Sequence, residues 1–122
     1  MLTTPEIAKE YKLPLPHWII VRPAADSSLQ QKFLLQVDKG EASAIALAHE
    51  IEYKYLITDD MEARKLSLKL GLSVIGTIGV LLRAKQAGYI EVTKPYLEQI
   101  KITNFRISDD LDQTALRKAG EE

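Results

Sequence analysis

Apolar and polar positions alternate along this chain in short blocks whose period switches between that of a helix and that of a strand. Thr4 before Pro5 opens a helix, since proline tolerates the first helical position and the hydroxyl accepts an orphan N–H; the helix runs over about residues 5 to 12 and stops before Pro14 and Pro16. WIIVR (18 to 22) is β-rich and apolar and reads as a buried strand ending at Pro23. Asp26 or Ser27 caps a helix spanning SLQQKFLLQ. Asp38 begins D-x-x-E with Glu41, a pattern resembling a capping box, and Ile45, Leu47, Ala48 and Ile51 give the next helix its buried side. KYLIT (54 to 58) is a second strand. The helix after it carries Ala63, Leu66 and Leu70 at helical spacing and ends at Gly71, a natural left-handed cap. LSVIG (72 to 76) is a third strand, Thr77 opens an apolar helix closed by Gly88, and Pro95 and Ser108 start two more helices, the last ending near Gly120.

Strand and helix in this rhythm imply parallel strands with right-handed crossovers, hence a Rossmann-like three-layer α/β/α sandwich with a short parallel sheet. At 122 residues the chain is expected to form one domain, residues 1 to 122. Composition adds little to this picture: 46% apolar and 27% charged residues are ordinary for a globular fold. With 16 basic against 17 acidic side chains, any nucleic-acid binding has to come from a local patch. The absence of cysteine removes disulfides, thiolate metal sites and cysteine nucleophiles. No secretion signal or membrane-length apolar run is visible, so the expected location is the cytoplasm, away from any membrane.

Ligands of open parallel sheets collect beyond the carboxyl ends of the strands, and Asp59 and Asp60 lie there, directly after KYLIT. Together with Glu41 at the opening of a helix they suggest an oxygen-only site of the kind Mg²⁺ or Mn²⁺ prefers. Taken one at a time, Asp38, Glu41, Asp59 and Asp60 are each more often helix caps than ligands. His17 and His49 are far apart, and Ser43 and Ser67 have no positioned base beside them. GTIGV lacks the spacing and the lysine of a phosphate loop and reads as a tight turn into a helix. Arg64, Lys65 and Lys69, with Arg83 and Lys85 on the next helix, are usually a solvated face, yet they are also the residues best suited to a phosphate backbone.

The runs DKGEASAIALA (38 to 48), LITDDMEARK (56 to 65), LGLSVIGTIGVLLRAK (70 to 85) and NFRISDDL (104 to 111), in that order over nearly the whole chain, resemble PIN-domain-like proteins found in prokaryotic toxin and antitoxin pairs. The resemblance implies a Mg²⁺- or Mn²⁺-dependent nuclease acting on RNA, with an antitoxin-like protein as a partner. By position, Glu41 matches the family's acidic residue at a helix start and Asp60 the one after the strand; Asp59 is a neighbouring carboxylate, and Thr58 and Thr77 are expected to supply supporting hydrogen bonds. Against that family the chain is expected to lack a first strand ending in a catalytic Asp. The expected consequences are exposed sheet edges, hence a homo-oligomer, and weak metal binding. The alternative that follows is an inactive PIN-like scaffold that serves for oligomerisation or partner binding.

Overall fold

The structure, a computed structural model, describes residues 1–102 and 109–121 and forms two compact units, Met1–Ile75 and Gly76–Glu122. Ser108 and residues 104–108 of the last sequence run lie outside the described residues.

In the first unit, β1 (Leu2–Thr3) leads into α1 (Pro5–Tyr11), β2 (Ile20–Val21), α2 (Ser27–Phe33), α3 (Lys39–Glu50), β3 (Leu56–Ile57), α4 (Met61–Lys69) and β4 (Val74–Ile75). The strands make two separate two-stranded parallel sheets: β1 pairs with β2, Leu2 opposite Ile20, and β3 pairs with β4, Leu56 opposite Val74.

The helices begin where side chains can satisfy their orphan N–H groups. Thr4, Asp26, Asp38 and Asp60 each accept an N–H three residues on, from Ile7, Leu29, Glu41 and Ala63. α4 is closed through Gly71, whose φ of 78° suits a residue without Cβ. α3 packs against α1, α2 and α4. Its small residues allow that crowding: Ala42, Ile45 and Ala46 are fully buried and join Phe33, Val37, Ala63 and Leu66 in one core. Truncating Ile45, a fully buried side chain of that core, would cost about 2–5 kcal/mol. At its far end Glu50 accepts the N–H groups of Ala25 and Asp26, which ties the start of α2 to the end of α3.

The second unit comprises α5 (Thr77–Gln86), α6 (Lys94–Ile102) and α7 (Asp109–Ala119). Leu97, Ala115 and Leu116 are buried together, with Ile78 and Leu81 of α5 against them. Glu121 closes this unit. Its carboxylate accepts the N–H and hydroxyl of Thr93 and the N–H of Lys94, and it pairs with Lys85, whose ammonium also bonds the carbonyl of Ala119.

Three sequence expectations are corrected. WIIVR is not a buried strand: only Ile20 and Val21 are extended, and they are exposed because, among the described residues, β1 is the one strand paired with them. Leu2–Thr3, which the pattern did not mark, supplies that partner. The helix read through SLQQKFLLQ ends at Phe33, where the chain tightens and both Gln36 and Val37 donate to the Phe33 carbonyl. The tight turn expected at GTIGV is present: Gly76 alone separates β4 from α5 and caps the helix at an ordinary φ of −91°.

Candidate metal centre

The first turn of α3 is held by both sheets. Thr4, at the end of β1, shares a 2.6 Å hydrogen bond with the hydroxyl of Ser43, which also donates to the Gly40 carbonyl. Thr58, at the end of β3, donates its hydroxyl to Glu41 Oε2 at 2.9 Å and accepts the N–H of Asp60 at 3.2 Å. Two threonines at two strand ends therefore fix one helical turn. One of them also orients a carboxylate.

D-x-x-E resembles a capping box, but only half of one forms. Asp38 Oδ1 accepts the N–H of Glu41 at 2.9 Å, whereas the Glu41 carboxylate takes the Thr58 hydroxyl instead of reaching back to the cap. Asp60 caps α4 through Oδ2, which accepts the N–H of Ala63 at 2.8 Å. Glu41 Oε1 and Asp60 Oδ1 are thus left without a hydrogen bond among the described residues.

Burial raises the Glu41 pKa above its ordinary value; the Thr58 hydroxyl opposes the rise, and the negative charges of Asp38, Asp60 and Glu10 add to it. Four carboxylates therefore share this corner of the first unit. Glu10 was missed by the sequence reading. Its carboxylate lies against the first turn of α3, so close that a Cβ at position 40 would stand 2.9 Å from both of its oxygens and would push that flexible side chain aside. The available sequence signal was Glu6 and Glu10 four residues apart, hence on one face of α1; Glu6 Oε2 is also buried with no hydrogen-bond partner.

The remaining sequence candidates separate. Asp59 is exposed and engaged in an interaction of its own. Arg64 and Lys65 lie on the exposed surface of α4, where Lys65 pairs with Glu62 at 3.7 Å. Arg83 and Thr77 belong to α5 in the second unit, and each has a partner. Lys85 is committed to Glu121. His17 and His49 are exposed, and the hydroxyls of Ser43 and Ser67 are buried and bonded to backbone carbonyls, which leaves neither serine placed as a nucleophile.

The donors suit a hard divalent cation in kind, since they are all oxygens with negative charge in excess. In number they fall short: among the described residues no three carboxylate or histidine side chains stand close enough together to hold a metal ion. No helix among the described residues is long and apolar enough to cross a membrane. In comparison with known proteins, a family model described as PIN domain matches residues 3–121, running through both units. No curated protein and no solved structure matches the chain.

Proposed function

We propose, taking as premise that this chain belongs to the PIN-domain family and has its nuclease-type three-layer α/β/α fold, that it is a Mg²⁺- or Mn²⁺-dependent ribonuclease of a toxin–antitoxin pair. The observation that carries this reading is Glu41: a half-buried carboxylate oriented by Thr58, with one oxygen left over and three further acidic groups around it. Glu41 and Asp60 are the metal ligands, Asp59 is an accessory carboxylate, and Glu10 supplies further negative charge against the first turn of α3. When bound, the ion supplies a Lewis acid for phosphodiester hydrolysis. Thr58 keeps Glu41 in one orientation and, through the N–H of Asp60, holds the start of α4 beside it. Arg64, Lys65 and Arg83 contact the RNA backbone. The protein acts in the cytoplasm as a homo-oligomer and is held in check by an antitoxin-like protein.

One observation favours a second reading, an inactive scaffold for oligomerisation or partner binding: no three of the described carboxylates stand close enough together to hold an ion. Titration of Mn²⁺ into the purified protein by calorimetry separates the two. Saturable binding to the wild type, lost in Glu41→Ala and in Asp60→Asn, supports the nuclease reading. Hydrolysis of single-stranded RNA that needs Mn²⁺ and is absent from both variants purified in parallel completes it and excludes a contaminating ribonuclease. Absence of binding in all three proteins establishes the scaffold.

A further inference from the structure

The loop that joins α5 to α6 is fixed at both ends. Gly88, at a φ of 82°, turns the chain out of α5, and the N–H of Tyr89 bonds back to the carbonyl of Ala84. Further on, Thr93 is held by the Glu121 carboxylate through both its N–H and its hydroxyl, and α6 begins at the next residue. Within α6, Tyr96 and Gln99 are three positions apart and so share a face, while Leu97 is buried in the core of this unit. The loop and that face border a cavity of about 480 Å³ whose lining includes Tyr89, Ile90, Glu91, Val92, Tyr96 and Gln99, all of the second unit.

This lining is more than an apolar patch. Tyr89 is 85% exposed and Tyr96 42%, so two aromatic rings stand in solvent although a ring gains by burial. Among the described residues, neither phenol hydroxyl, nor the Glu91 carboxylate, nor the Gln99 amide has a hydrogen-bond or ionic partner. Lys94, next in the chain to Pro95 of the same wall, is exposed, and its ammonium is likewise unpaired among the described residues.

These groups define an occupant. Tyrosine rings stack on nucleobases, and a base free to stack on protein is an unpaired one. A carboxylate only accepts, through two oxygens side by side. On its pairing edge guanine alone of the RNA bases sets two N–H donors, N1 and N2, next to each other, with O6 beside them to accept from an amide. Adenine and cytosine put a ring-nitrogen lone pair beside their amino group, and uracil has a single donor. A proline-rich peptide also suits exposed tyrosines, but its prolines have no N–H and leave the carboxylate unmatched. We propose that this cavity is a guanine pocket: an unpaired guanine of single-stranded RNA stacks on Tyr89 and Tyr96, donates from N1 and N2 to Glu91, and accepts the Gln99 amide on O6, with Lys94 on the adjoining phosphate. The inference rests on the reading of RNA as this protein's substrate and adds a base preference to it.

The test reads binding, with EDTA present so that neither an ion nor cleavage enters. The whole chain is titrated into fluorescein-labelled UUGUUU, UUAUUU and UUUUUU ribonucleotides, and into the first of these with inosine for guanine, and anisotropy is followed. The guanine oligonucleotide is expected to bind about tenfold or more tighter than those with adenine or uracil, and inosine, which lacks the N2 amino group, to lose much of that advantage. Glu91→Gln is expected to bring the oligonucleotides to parity, whereas Tyr89→Leu and Tyr96→Leu weaken all of them about tenfold; circular dichroism and melting temperature confirm that these variants of exposed residues are folded. Equal affinity of the wild type for guanine and adenine overturns the proposal, and so does a guanine preference that survives Glu91→Gln. Absence of RNA binding overturns it as well, and tyrosine-dependent binding of acetyl-PPPPPPPP-amide in its place assigns the cavity to a peptide. A guanine preference that persists where Mn²⁺-dependent hydrolysis is absent strikes the nuclease reading and upholds the pocket.

Discussion

Asp60 has one visible task, capping α4 through the N–H of Ala63, so a test of any second task must leave the first intact. Asparagine retains an oxygen for the cap and discards the charge. Asp60→Asn is therefore expected to melt near the wild-type temperature and to lose Mn²⁺ binding, whereas Asp60→Ala loses both the ion and about 1 kcal/mol of stability; thermal melts with and without Mn²⁺ on the two variants check this. Equal loss of stability in both variants would remove the separation between cap and ligand. Glu41 gives a second residue-scale prediction. Its folded pKa is raised, chiefly by burial, so its ionised form burdens the fold above that pKa, and the burden disappears as pH falls below the ordinary value of 4.5. Glu41→Gln is accordingly expected to raise the melting temperature at pH 7 and to leave it unchanged once both proteins carry an uncharged group at that position. A melting-temperature profile from pH 3 to 7 reads the difference.

Among the elements, the helices were legible and the strands much less so. Thr4, Asp26, Asp38, Gly71 and Gly88 mark helix ends by local chemistry, and local chemistry is what a sequence shows. WIIVR misled because apolar, β-branched residues fit a covered strand, while whether a strand is covered depends on neighbours distant in sequence; here Ile20 is 57% exposed. Leu2–Thr3 went unnoticed because two residues carry no period. The candidate site divides the same way: Glu41 and Asp60 stand out at element ends, but Glu10 becomes relevant only once α1 packs on α3. Glu121 was equally silent in the sequence, although it organises the second unit. Burial alone would raise its pKa, but bonds from Thr93, Lys94 and Lys85 outweigh that and hold it to about 2. A depressed carboxylate stabilises the fold above its ordinary value of 4.5 and ceases to do so as pH falls toward 2. Glu121→Gln is thus expected to speed hydrogen exchange at Thr93 and Lys94 at pH 7, with the gap to wild type closing over that acid range.

At the scale of the whole molecule, Trp18, Ile20 and Val21 present an exposed apolar edge on the outer strand of β1–β2. Such edges invite pairing between chains. Size-exclusion chromatography with light scattering is expected to return a multiple of the monomer mass, reduced to the monomer by Ile20→Lys; a wild-type monomer across a concentration series would refute this. The two threonine ties to α3 also bear on the order in which the molecule assembles. Glu41 and Thr58 lie 17 residues apart, Thr4 and Ser43 39. Closing the shorter loop costs about 0.7 kcal/mol less chain entropy, so of the two ties the one that orients the Glu41 carboxylate is the cheaper to close, and the tie that docks the first strand carries the larger ordering cost.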